Sequence, residues 1–391
     1  MLLTNFPTHD ILMTSSDITT GPFRLAVSKG QDWKAAAKDC LDQLGAIDGA
    51  NIGFLYLTDA LVEDMSSILT LLRGITGIEE WVGSVGIGII AGQEEIIAEP
   101  ALAIMVGHLP TGSAHVFRRD ARGFVEMPNG AESVEGWLEN HTPVAAIVHG
   151  DPRDAELPYL INDTAMETGA FLVGGLSSSR VALRQVANKV WEDGLSGVML
   201  DEGAMVATGL TQGCAPISPI RHITECEDNI IMTIDDRPAL DVFKTDISEA
   251  LSESEGQTEA HVFAALPVSG SDTGDYMVRN ILGVDEERGW IAISEEVEQD
   301  QPLQFVQRNT YAAMADMERM LQKLKARVPE PRGAIYFSCL ARGVHMFGPD
   351  SAEVGTILET FPDLPMIGLF ANGEINHDRL YTHTGVLLLF T

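Results

Sequence analysis

The sequence predicts an α/β protein with mixed parallel and antiparallel sheets that are covered by helices. The main observation is a cassette that occurs three times, beginning at Asn51–Leu57, Pro143–Gly150 and Gly333–Cys339. Each copy contains a β-branched strand, an amphipathic helix, a second apolar strand that ends in Gly, a loop rich in Gly, Ser or Asn, and a third apolar strand. Because no helix separates the last two strands, antiparallel pairs must accompany the parallel ones. We therefore expect pseudo-repeated β-α-β-loop-β cassettes in two packed domains.

The segments outside the cassettes complete the two domains. Residues 1–19 are mixed in composition and rich in turn formers, so we expect a loosely attached N-terminal arm. The predicted N-terminal domain, residues 20–234, opens with a strand at Pro22–Gly30 that is followed by a helix. The predicted C-terminal domain, residues 235–391, opens with a helix that Pro238 can start. Its longest helix carries a row of Met residues, which we interpret as packing surface.

The composition is that of an ordinary globular protein, with 45% hydrophobic and 21% charged residues among 391. The 25 Lys and Arg residues are outnumbered by 57 Asp and Glu residues, and the formal net charge is −32. Nucleic acid binding depends on basic side chains that neutralise phosphates, so we expect no nucleic acid partner. No apolar run approaches the roughly 20 residues of a membrane helix, and the N-terminus lacks the features of a secretory signal. We expect a cytoplasmic protein with no membrane insertion.

The spacings of cysteine and histidine do not predict a metal site or a disulfide framework. The four cysteines are scattered and form no C-x-x-C pair: Cys40, Cys214, Cys226 and Cys339. A second group of metal-ligating residue types lies near the C-terminus: Glu374, His377, Asp378 and His383. Strand alternation sends neighbouring side chains of this group to opposite faces. We therefore expect no metal.

Two glycine-containing motifs also favour structural interpretations. The run Gly83–Gly88 lacks the G-x-G-x-x-G order of a dinucleotide fingerprint, and strands rather than a helix follow it. The segment Gly270–Gly274 has Asp272 where a nucleophile elbow has Ser, so we interpret it as a loop. We expect no cofactor.

Two groups of side chains lie where a ligand site would be expected. Cys339 ends an apolar strand and is followed by Arg342, whose guanidinium can lower the pKa of a nearby thiol. A ligand-contacting thiol and a buried structural thiol are both open interpretations. Arg279–Asn280 and Arg308–Asn309 repeat an Arg-Asn pair at strand borders. Such pairs can bind a carboxylate and an amide, and they equally tie loops together.

Six segments share their order and spacing with one known family: GLTQGCAPI, RPALDVF, VRNILGVD, YFSCLARG, LPMIGLFANGEI and THTGVLLLF. With these segments the chain resembles the FIST family, whose N- and C-terminal domains would together cover nearly the whole chain from residue 20 onward. The resemblance implies an intracellular sensory module, which occurs alone or fused to signalling domains in bacteria and to F-box domains in eukaryotes. It implies small ligands such as amino acids, and it implies no established catalytic mechanism.

The resemblance also implies a ligand site at the positions that match the family's motifs. These come from a VRN motif, a C-x-x-R-G motif and an NGE motif: Arg279, Asn280, Cys339, Arg342, Asn372, Gly373 and Glu374. The leading hypothesis is a non-enzymatic cytoplasmic sensor of an amino acid or a related small carboxylate. Arg279 or Arg342 would hold the ligand carboxylate, and Glu374 or Asn372 would hold an amine or amide. Because the two domains leave no room for an output module, we expect a separate signalling protein as partner.

Two alternative functions are also compatible with the sequence. One is an enzyme that uses Cys339 as nucleophile with His345 or His383 as base, which requires the thiol and the imidazole to lie within hydrogen-bond reach. The other is a non-catalytic interaction scaffold that uses the acidic surface for docking. The sequence supplies the residue types for both alternatives. For the enzyme, the distance between the Cys339 thiol and the histidine ring is decisive.

Overall fold

The computed structural model describes most of the chain: residues 23–126, 132–253, 262–268, 274–348 and 352–391. The predicted N-terminal arm lies outside these ranges, and so do residues 270–273 of the predicted loop at Gly270–Gly274. No helix in the described ranges is both long and apolar enough to cross a membrane. The three cassettes lie entirely or almost entirely within the described residues, and each forms one sheet with helices against it.

Strands β2, β3 and β6 of the first cassette form a sheet together with β1, the strand that precedes the cassette. Its elements are β1 (Arg24–Lys29), α1 (Trp33–Leu44), β2 (Ile52–Thr58), a 3-10 helix (Asp59–Asp64), α2 (Met65–Thr76), β3 (Glu80–Gly86), β4 (Gly88–Ala91), β5 (Glu94–Ile97) and β6 (Ala101–Gly107). Strand β2 pairs parallel with β3 and antiparallel with β6, and β6 pairs antiparallel with β1. The Asp32 carboxylate caps α1 by accepting from two backbone N–H groups, and Gly77 ends α2 in a left-handed conformation.

The second cassette repeats this pairing. Its elements are β7 (Ala114–Asp120), β8 (Gly123–Phe124), α3 (Val134–Leu138), β9 (Pro143–Gly150), α4 (Leu157–Thr168), β10 (Phe171–Leu176), β11 (Gln185–Ala187), β12 (Lys189–Trp191) and β13 (Leu195–Asp201). Strand β9 pairs parallel with β10 and antiparallel with β13, and β13 pairs antiparallel with β7. Gly169 ends α4 in the same left-handed conformation that Gly77 adopts after α2.

A further sheet is inserted between β14 (Val206–Gln212), an edge strand of the third cassette's sheet, and the first strand of that cassette. It contains β15 (Cys214–Pro216), β16 (Arg221–Glu227), β17 (Ile230–Ile234), β18 (Arg237–Pro238), α5 (Ala239–Glu253), β19 (Val262–Pro267), β20 (Tyr276–Arg279), β21 (Ile281–Asp285), β22 (Trp290–Ile293) and β23 (Pro302–Arg308). The pairs between these strands are antiparallel. The domain boundary that the sequence suggests, between residues 234 and 235, falls within this inserted sheet, because Ile234 ends β17 and Asp235 begins the turn to β18.

The third cassette follows the insertion. Its elements are α6 (Thr310–Arg327), β24 (Gly333–Cys339), α7 (Val344–Phe347), α8 (Ala352–Thr360), β25 (Met366–Ala371), β26 (Glu374–His377), β27 (Arg379–Tyr381) and β28 (Thr384–Phe390). Strand β24 pairs parallel with β25 and antiparallel with β28, and β28 pairs antiparallel with β14. The three cassettes therefore have one pairing pattern, and the predicted fold class of mixed sheets covered by helices is confirmed.

The hairpin of each cassette joins the sheet of another cassette. Strand β4 of the first cassette pairs with β25 of the third, β11 of the second pairs with β3 of the first, and β26 of the third pairs with β10 of the second. This exchange is cyclic, so the three sheets enclose one shared apolar core. Its inward-facing residues come from all three cassettes: Phe54, Val82, Ile147, Val173, Ile335 and Ile367. The exchange is not visible in the sequence, because it depends on contacts between segments that are far apart in the chain.

A glycine at one position in the second strand of each cassette allows the first strand to approach closely. A Cβ atom there would overlap a backbone carbonyl oxygen of the first strand. The separations would be 1.8 Å for Gly83 and Leu55, 2.0 Å for Gly174 and Val148, and 1.7 Å for Gly368 and Tyr336. This shared glycine shows that the cassettes are equivalent in backbone geometry as well as in strand order.

The centre of the shared core is formed by one aromatic residue from the first strand of each cassette. The Tyr56 hydroxyl forms a 2.8 Å hydrogen bond with His149 Nε2, and the rings of both residues contact the ring of Phe337. Burial lowers the pKa of His149 to about 3, so this imidazole is neutral at physiological pH. The centre is therefore uncharged.

Candidate functional site

Three of the sequence-predicted site residues lie in one buried region at the carboxyl end of β24. Cys339 ends that strand, Arg342 lies in the turn that follows, and Glu374 begins β26. Arg342 and Glu374 are 1% and 0% exposed, and the charge of Arg342 acts on the pKa of both Cys339 and Glu374. Together with Glu353 of α8, these residues are called the Arg342–Glu374 cluster below.

Arg342 and Glu353 form a fully buried ion pair in this cluster. Arg342 Nε donates to Glu353 Oε1 at 2.6 Å, and the hydroxyls of Tyr336 and Ser338 donate to the same carboxylate at 2.5 and 2.8 Å. Glu353 is therefore satisfied by several donors. The terminal nitrogens of Arg342, Nη1 and Nη2, are buried and have no hydrogen-bond partner among the described residues. Unpaired buried donors of this kind are costly, which makes these two nitrogens candidate ligand-binding groups.

Glu374 supplies an acceptor in the same cluster. Its Oε2 atom accepts from the backbone N–H of Thr384 at 3.2 Å and from the Thr384 hydroxyl at 2.8 Å. Its Oε1 atom is buried and has no hydrogen-bond partner within the described part of the chain. Burial raises the pKa of Glu374 to about 8, although the bonds from Thr384 act in the opposite direction. The cluster thus offers two unpartnered donors and one unpartnered acceptor.

The other two residues of the NGE motif do not face the cluster. Asn372 has an exposed side chain, and its backbone N–H donates to the Leu176 carbonyl at 3.1 Å. Gly373 has a φ of 124°, and a Cβ atom there would lie 3.0 Å from Leu380 Cδ1. These two residues shape the turn that brings Glu374 to the start of β26.

The VRN motif ties the inserted sheet to the β26–β27 hairpin. Buried Arg279 forms an ion pair with Glu295, and its Nη2 atom donates to the Leu380 carbonyl at 3.1 Å. The Thr382 hydroxyl donates to the Val278 carbonyl at 2.8 Å. The side chain of Asn280 is exposed. Arg279 therefore positions the hairpin that carries Glu374, and of the two predicted arginines only Arg342 has unpartnered nitrogens in the cluster.

Two further motif segments, those that contain Gly213 and His383, also reach the cluster. A Cβ atom at Gly213, in the TQGC segment, would lie 3.2 Å from Arg342 Nη1 and 2.6 Å from the carbonyl oxygen of His383. The guanidinium of Arg308 donates to the carbonyl of Ala341, in the turn that contains Arg342. The ring of Phe347 lies 5.0 Å from the Arg342 guanidinium carbon. Segments that are widely separated in the sequence thus contribute to one site.

The environment of Cys339 disfavours a nucleophilic thiolate. Burial raises the pKa of its thiol, and the neighbouring Glu374 raises it further. The sulfur accepts from the backbone N–H of His383 at 3.3 Å, whereas the His383 ring contacts the Phe263 ring at a centroid distance of 4.4 Å. The side chain of His345 lies outside the described part of the chain. These observations support the interpretation of Cys339 as a buried structural thiol.

The potential metal ligands near the C-terminus do not form one group in the structure. Glu374 is buried, whereas His377 has an exposed side chain at the end of the same strand. In the described ranges, no three His, Cys, Asp or Glu side chains form a group that could hold a metal ion. His377 Nδ1 instead lies 3.1 Å from Asp378 Oδ1, and Asp378 also pairs with Arg379.

Sequence reasoning missed four residues of the site. They are the partners of the predicted groups: Tyr336, Ser338, Glu353 and Thr384. Tyr336 and Ser338 alternate with the core-facing residues of β24 and therefore face α8, on the opposite side of the sheet. A comparison of the cassettes would have found Glu353, because the first buried residue of the corresponding helices is Met65 in α2 and Leu157 in α4.

Proteins similar to this chain occur in bacteria and plants. Uncharacterized protein Rv0628c of Mycobacterium tuberculosis is 29% identical over 328 residues, which cover 79% of this chain and 83% of that protein. Uncharacterized protein Mb0898c of Mycobacterium bovis is 28% identical over 354 residues, which cover 85% of this chain and 87% of that protein. F-box/LRR-repeat protein At5g63520 of Arabidopsis thaliana is 39% identical over 71 residues, which cover 18% of this chain and 13% of that protein.

Two family domains together match most of the chain. The FIST N domain matches residues 51–237, and the FIST C domain matches residues 239–377. All of the motif residues in the Arg342–Glu374 cluster fall within the second match. The chain therefore belongs to the FIST family, whose domains are associated with signal transduction and sensing.

Proposed function

We propose that this protein is a sensor that binds an amino acid, or a related molecule with a carboxylate and an amine, between Arg342 and Glu374. The observation that supports the proposal is the set of unpartnered buried atoms in the cluster: Arg342 Nη1, Arg342 Nη2 and Glu374 Oε1. Two guanidinium N–H groups match the two oxygens of a carboxylate, and a carboxylate oxygen matches an ammonium group. Such a ligand would satisfy groups that the described protein leaves unpaired.

The position of the two groups suggests how binding could be transmitted. Arg342 follows β24, whereas Glu374 lies on the β26–β27 hairpin, which pairs with the sheet of the second cassette. Arg279 and Thr382 connect that hairpin to the inserted sheet. A ligand that bridges Arg342 and Glu374 would favour one arrangement of the hairpin and the inserted sheet over others. We propose that a separate signalling protein recognises this arrangement.

Thermal unfolding with a panel of amino acids and small carboxylates tests the proposal. A ligand that binds only the native state raises the midpoint temperature, and above its dissociation constant the shift grows with the logarithm of the free ligand concentration. Arg342→Lys keeps a positive charge beside Glu353 but cannot present a two-pronged donor, so the shift should be lost. Glu374→Gln should also abolish the shift of the midpoint temperature for ligands that carry an ammonium group, because the amide has no negative charge. Glu94→Gln, in the corresponding hairpin of the first cassette, is the matched control and should keep the shift.

Calorimetry of a compound that raises the midpoint tests the role of Glu374 directly. With a pKa of about 8, the free Glu374 carboxyl is mostly protonated at pH 7, and it must ionise to pair with an ammonium group. Binding should therefore release protons, and the measured enthalpy should differ between Tris and phosphate buffers. The Glu374→Gln variant, which should not bind an ammonium-bearing compound, should show no binding heat in either buffer. Equal enthalpies in the two buffers for the parent protein would contradict the assignment of Glu374 as the amine-binding group.

A panel without any effect would also be informative. If no compound raises the midpoint while the protein recovers a stoichiometric partner in a salt-sensitive manner, the scaffold hypothesis would be favoured instead. A partner that binds equally well in the presence and absence of an active compound would contradict the proposed transmission, because sensing requires different affinities for the two states.

A further inference from the structure

A cavity of about 980 Å³ lies between α6, β14, the β26–β27 hairpin and the inserted sheet. No residue of the Arg342–Glu374 cluster lines it, so it is a separate place in the molecule. Its volume is in the range of cavities that bind small molecules, roughly 300–1,000 Å³. The inserted sheet contributes Val268 and Asp275, whose backbones are joined by a 2.9 Å hydrogen bond. The cavity is therefore bounded by four parts of the fold that are far apart in the sequence.

One part of the cavity wall is apolar. Leu210 of β14 and Met320 and Leu324 of α6 line it, and Tyr381 and Phe171 line it near the hairpin. The Phe171 ring contacts the ring of His377 at a centroid distance of 5.1 Å. The apolar part of a ligand, whether a ring or an alkyl chain, could therefore pack against aliphatic and aromatic side chains of this wall.

The wall formed by α6 is cationic, although the chain has a net charge of −32. Arg319, Lys323 and Arg327 follow one another at intervals of four residues, so they share one face of the helix. Arg319 forms an ion pair with Asp316. Lys323 and Arg327 form no ion pair with any described residue. They are thus free to bind an anion.

The other charged groups of the cavity do not neutralise these two cations. Asp316 accepts from the backbone N–H of Gln212 at 2.7 Å and pairs with Arg319. Asp378 pairs with Arg379 at 2.9 Å. Asp275, the third acid of the lining, is already engaged in an interaction of its own. The cavity therefore combines an apolar wall with two available positive charges.

We propose that this cavity binds a small organic anion. Its acidic group would pair with Lys323 and Arg327, and its apolar body would pack against Phe171, Met320 and Tyr381. Charge-assisted hydrogen bonds and apolar burial would act together, as is usual in small-molecule sites. Because the walls come from α6, the hairpin and the inserted sheet, the occupied site would connect all three. The proposal does not depend on a ligand at the Arg342–Glu374 cluster.

Fluorescence titration with anilinonaphthalene sulfonate, an aromatic anion, tests this site in the full-length protein. We expect saturable binding that weakens with increasing salt, since salt screens the ionic contribution. Lys323→Gln and Arg327→Gln should each weaken binding, and the double variant should weaken it by at least about tenfold. Both side chains are exposed, so the variants should fold. The control is Lys189→Gln, an exposed lysine of the β11–β12 hairpin, which should bind as the parent does.

Displacement experiments distinguish the two common acidic groups. A nucleoside monophosphate and phenylacetate are each added to the complex with the fluorescent probe. Displacement by the first alone assigns the site to phosphate-bearing ligands, and displacement by the second alone assigns it to carboxylates. Displacement by neither, or a double variant that binds the probe as tightly as the parent, would overturn the proposal. Glu374→Gln should leave probe binding unchanged, which separates this result from that of the proposed sensor site.

Discussion

Equivalent hairpin residues of the three cassettes differ in their chemistry. Gln185, Glu374 and Ile89 each lie opposite the second strand of the sheet that their hairpin joins, at one register position. Ile89 is buried and apolar, and Gln185 is a buried amide that accepts from Ser196 at 2.6 Å and donates to the Gly194 carbonyl at 3.2 Å. Glu374 alone of the three is ionisable, and it alone has a buried side-chain atom without a partner. The same fold therefore accommodates an apolar residue, a satisfied amide or an unsatisfied acid there.

The cassette helices also differ in the chemistry of one buried position. The first buried residue of the cassette helix is Met65 in α2 and Leu157 in α4, whereas it is Glu353 in α8. Apolar residues thus suffice at this place in two of the three cassettes. A buried ion pair is seldom more stabilising than apolar residues of similar size. We infer that the polar groups of the third cassette serve binding and are not required for the fold.

The largest expected effect is that of breaking the buried ion pair. Arg342→Met leaves the Glu353 carboxylate buried without its cation, which should lower the free energy of unfolding by about 3–5 kcal/mol. Combining it with Glu353→Leu places an apolar residue where α2 has Met65 and α4 has Leu157. The double variant should be more stable than Arg342→Met alone, because no charge remains buried. Denaturant-induced unfolding, followed by circular dichroism, measures both differences.

The double variant also separates folding from function. It should fold and should fail to bind the compounds that raise the midpoint temperature of the parent protein. If the double variant is less stable than Arg342→Met, the ion pair is needed for the fold, and the comparison with the first two cassettes fails.

The pH dependence of stability tests the difference between Glu374 and Gln185. The pKa of Glu374 rises from an ordinary value of 4.5 to about 8 on folding, so the folded state holds a proton that the unfolded state loses. Stability contributed by the protonated group is therefore present below pH 4.5 and is lost as the pH rises to 8. Glu374→Gln removes this loss, so the stability of the variant relative to the parent should increase with pH, by on the order of 4 kcal/mol at pH 8.

Denaturation of the two proteins at several pH values between 4.5 and 9 provides the measurement. The carboxyl of Glu95, which burial and the neighbouring Glu353 raise to a pKa of about 7, acts in the same direction. It is present in both proteins, so it cancels in the difference. A difference that stays constant across this range would show that Glu374 is ionised in the folded state, and its contrast with Gln185 would then be one of charge only.

The sequence predicted the repeated elements well and the connections between them poorly. Local apolar patterns specify β2, α2 and β3 and their counterparts, because burial of one face dictates the spacing. The exchange of hairpins depends on pairs such as Gly175 and Glu374, which are far apart in the chain and leave no local signal. Likewise, motif matches identified Arg342 and Glu374, whereas Glu353 lies in an ordinary amphipathic helix. Its role becomes apparent only when the three cassettes are compared.

The smallest effects concern the backbone geometry that all three cassettes share. Gly368→Ala would place a Cβ atom 1.7 Å from the Tyr336 carbonyl oxygen, so the strands must separate, and we expect a loss of about 1–3 kcal/mol. Gly83→Ala and Gly174→Ala should cost similar amounts, since their separations are 1.8 and 2.0 Å. Gly355→Ala in α8 meets no atom within 4 Å and should stabilise by about 0.5–1 kcal/mol. Thermal unfolding of the four variants compares them. Three similar losses would show that the cassettes share their backbone requirements and differ only in side-chain chemistry, whereas a neutral substitution at one glycine would limit the equivalence to the other two.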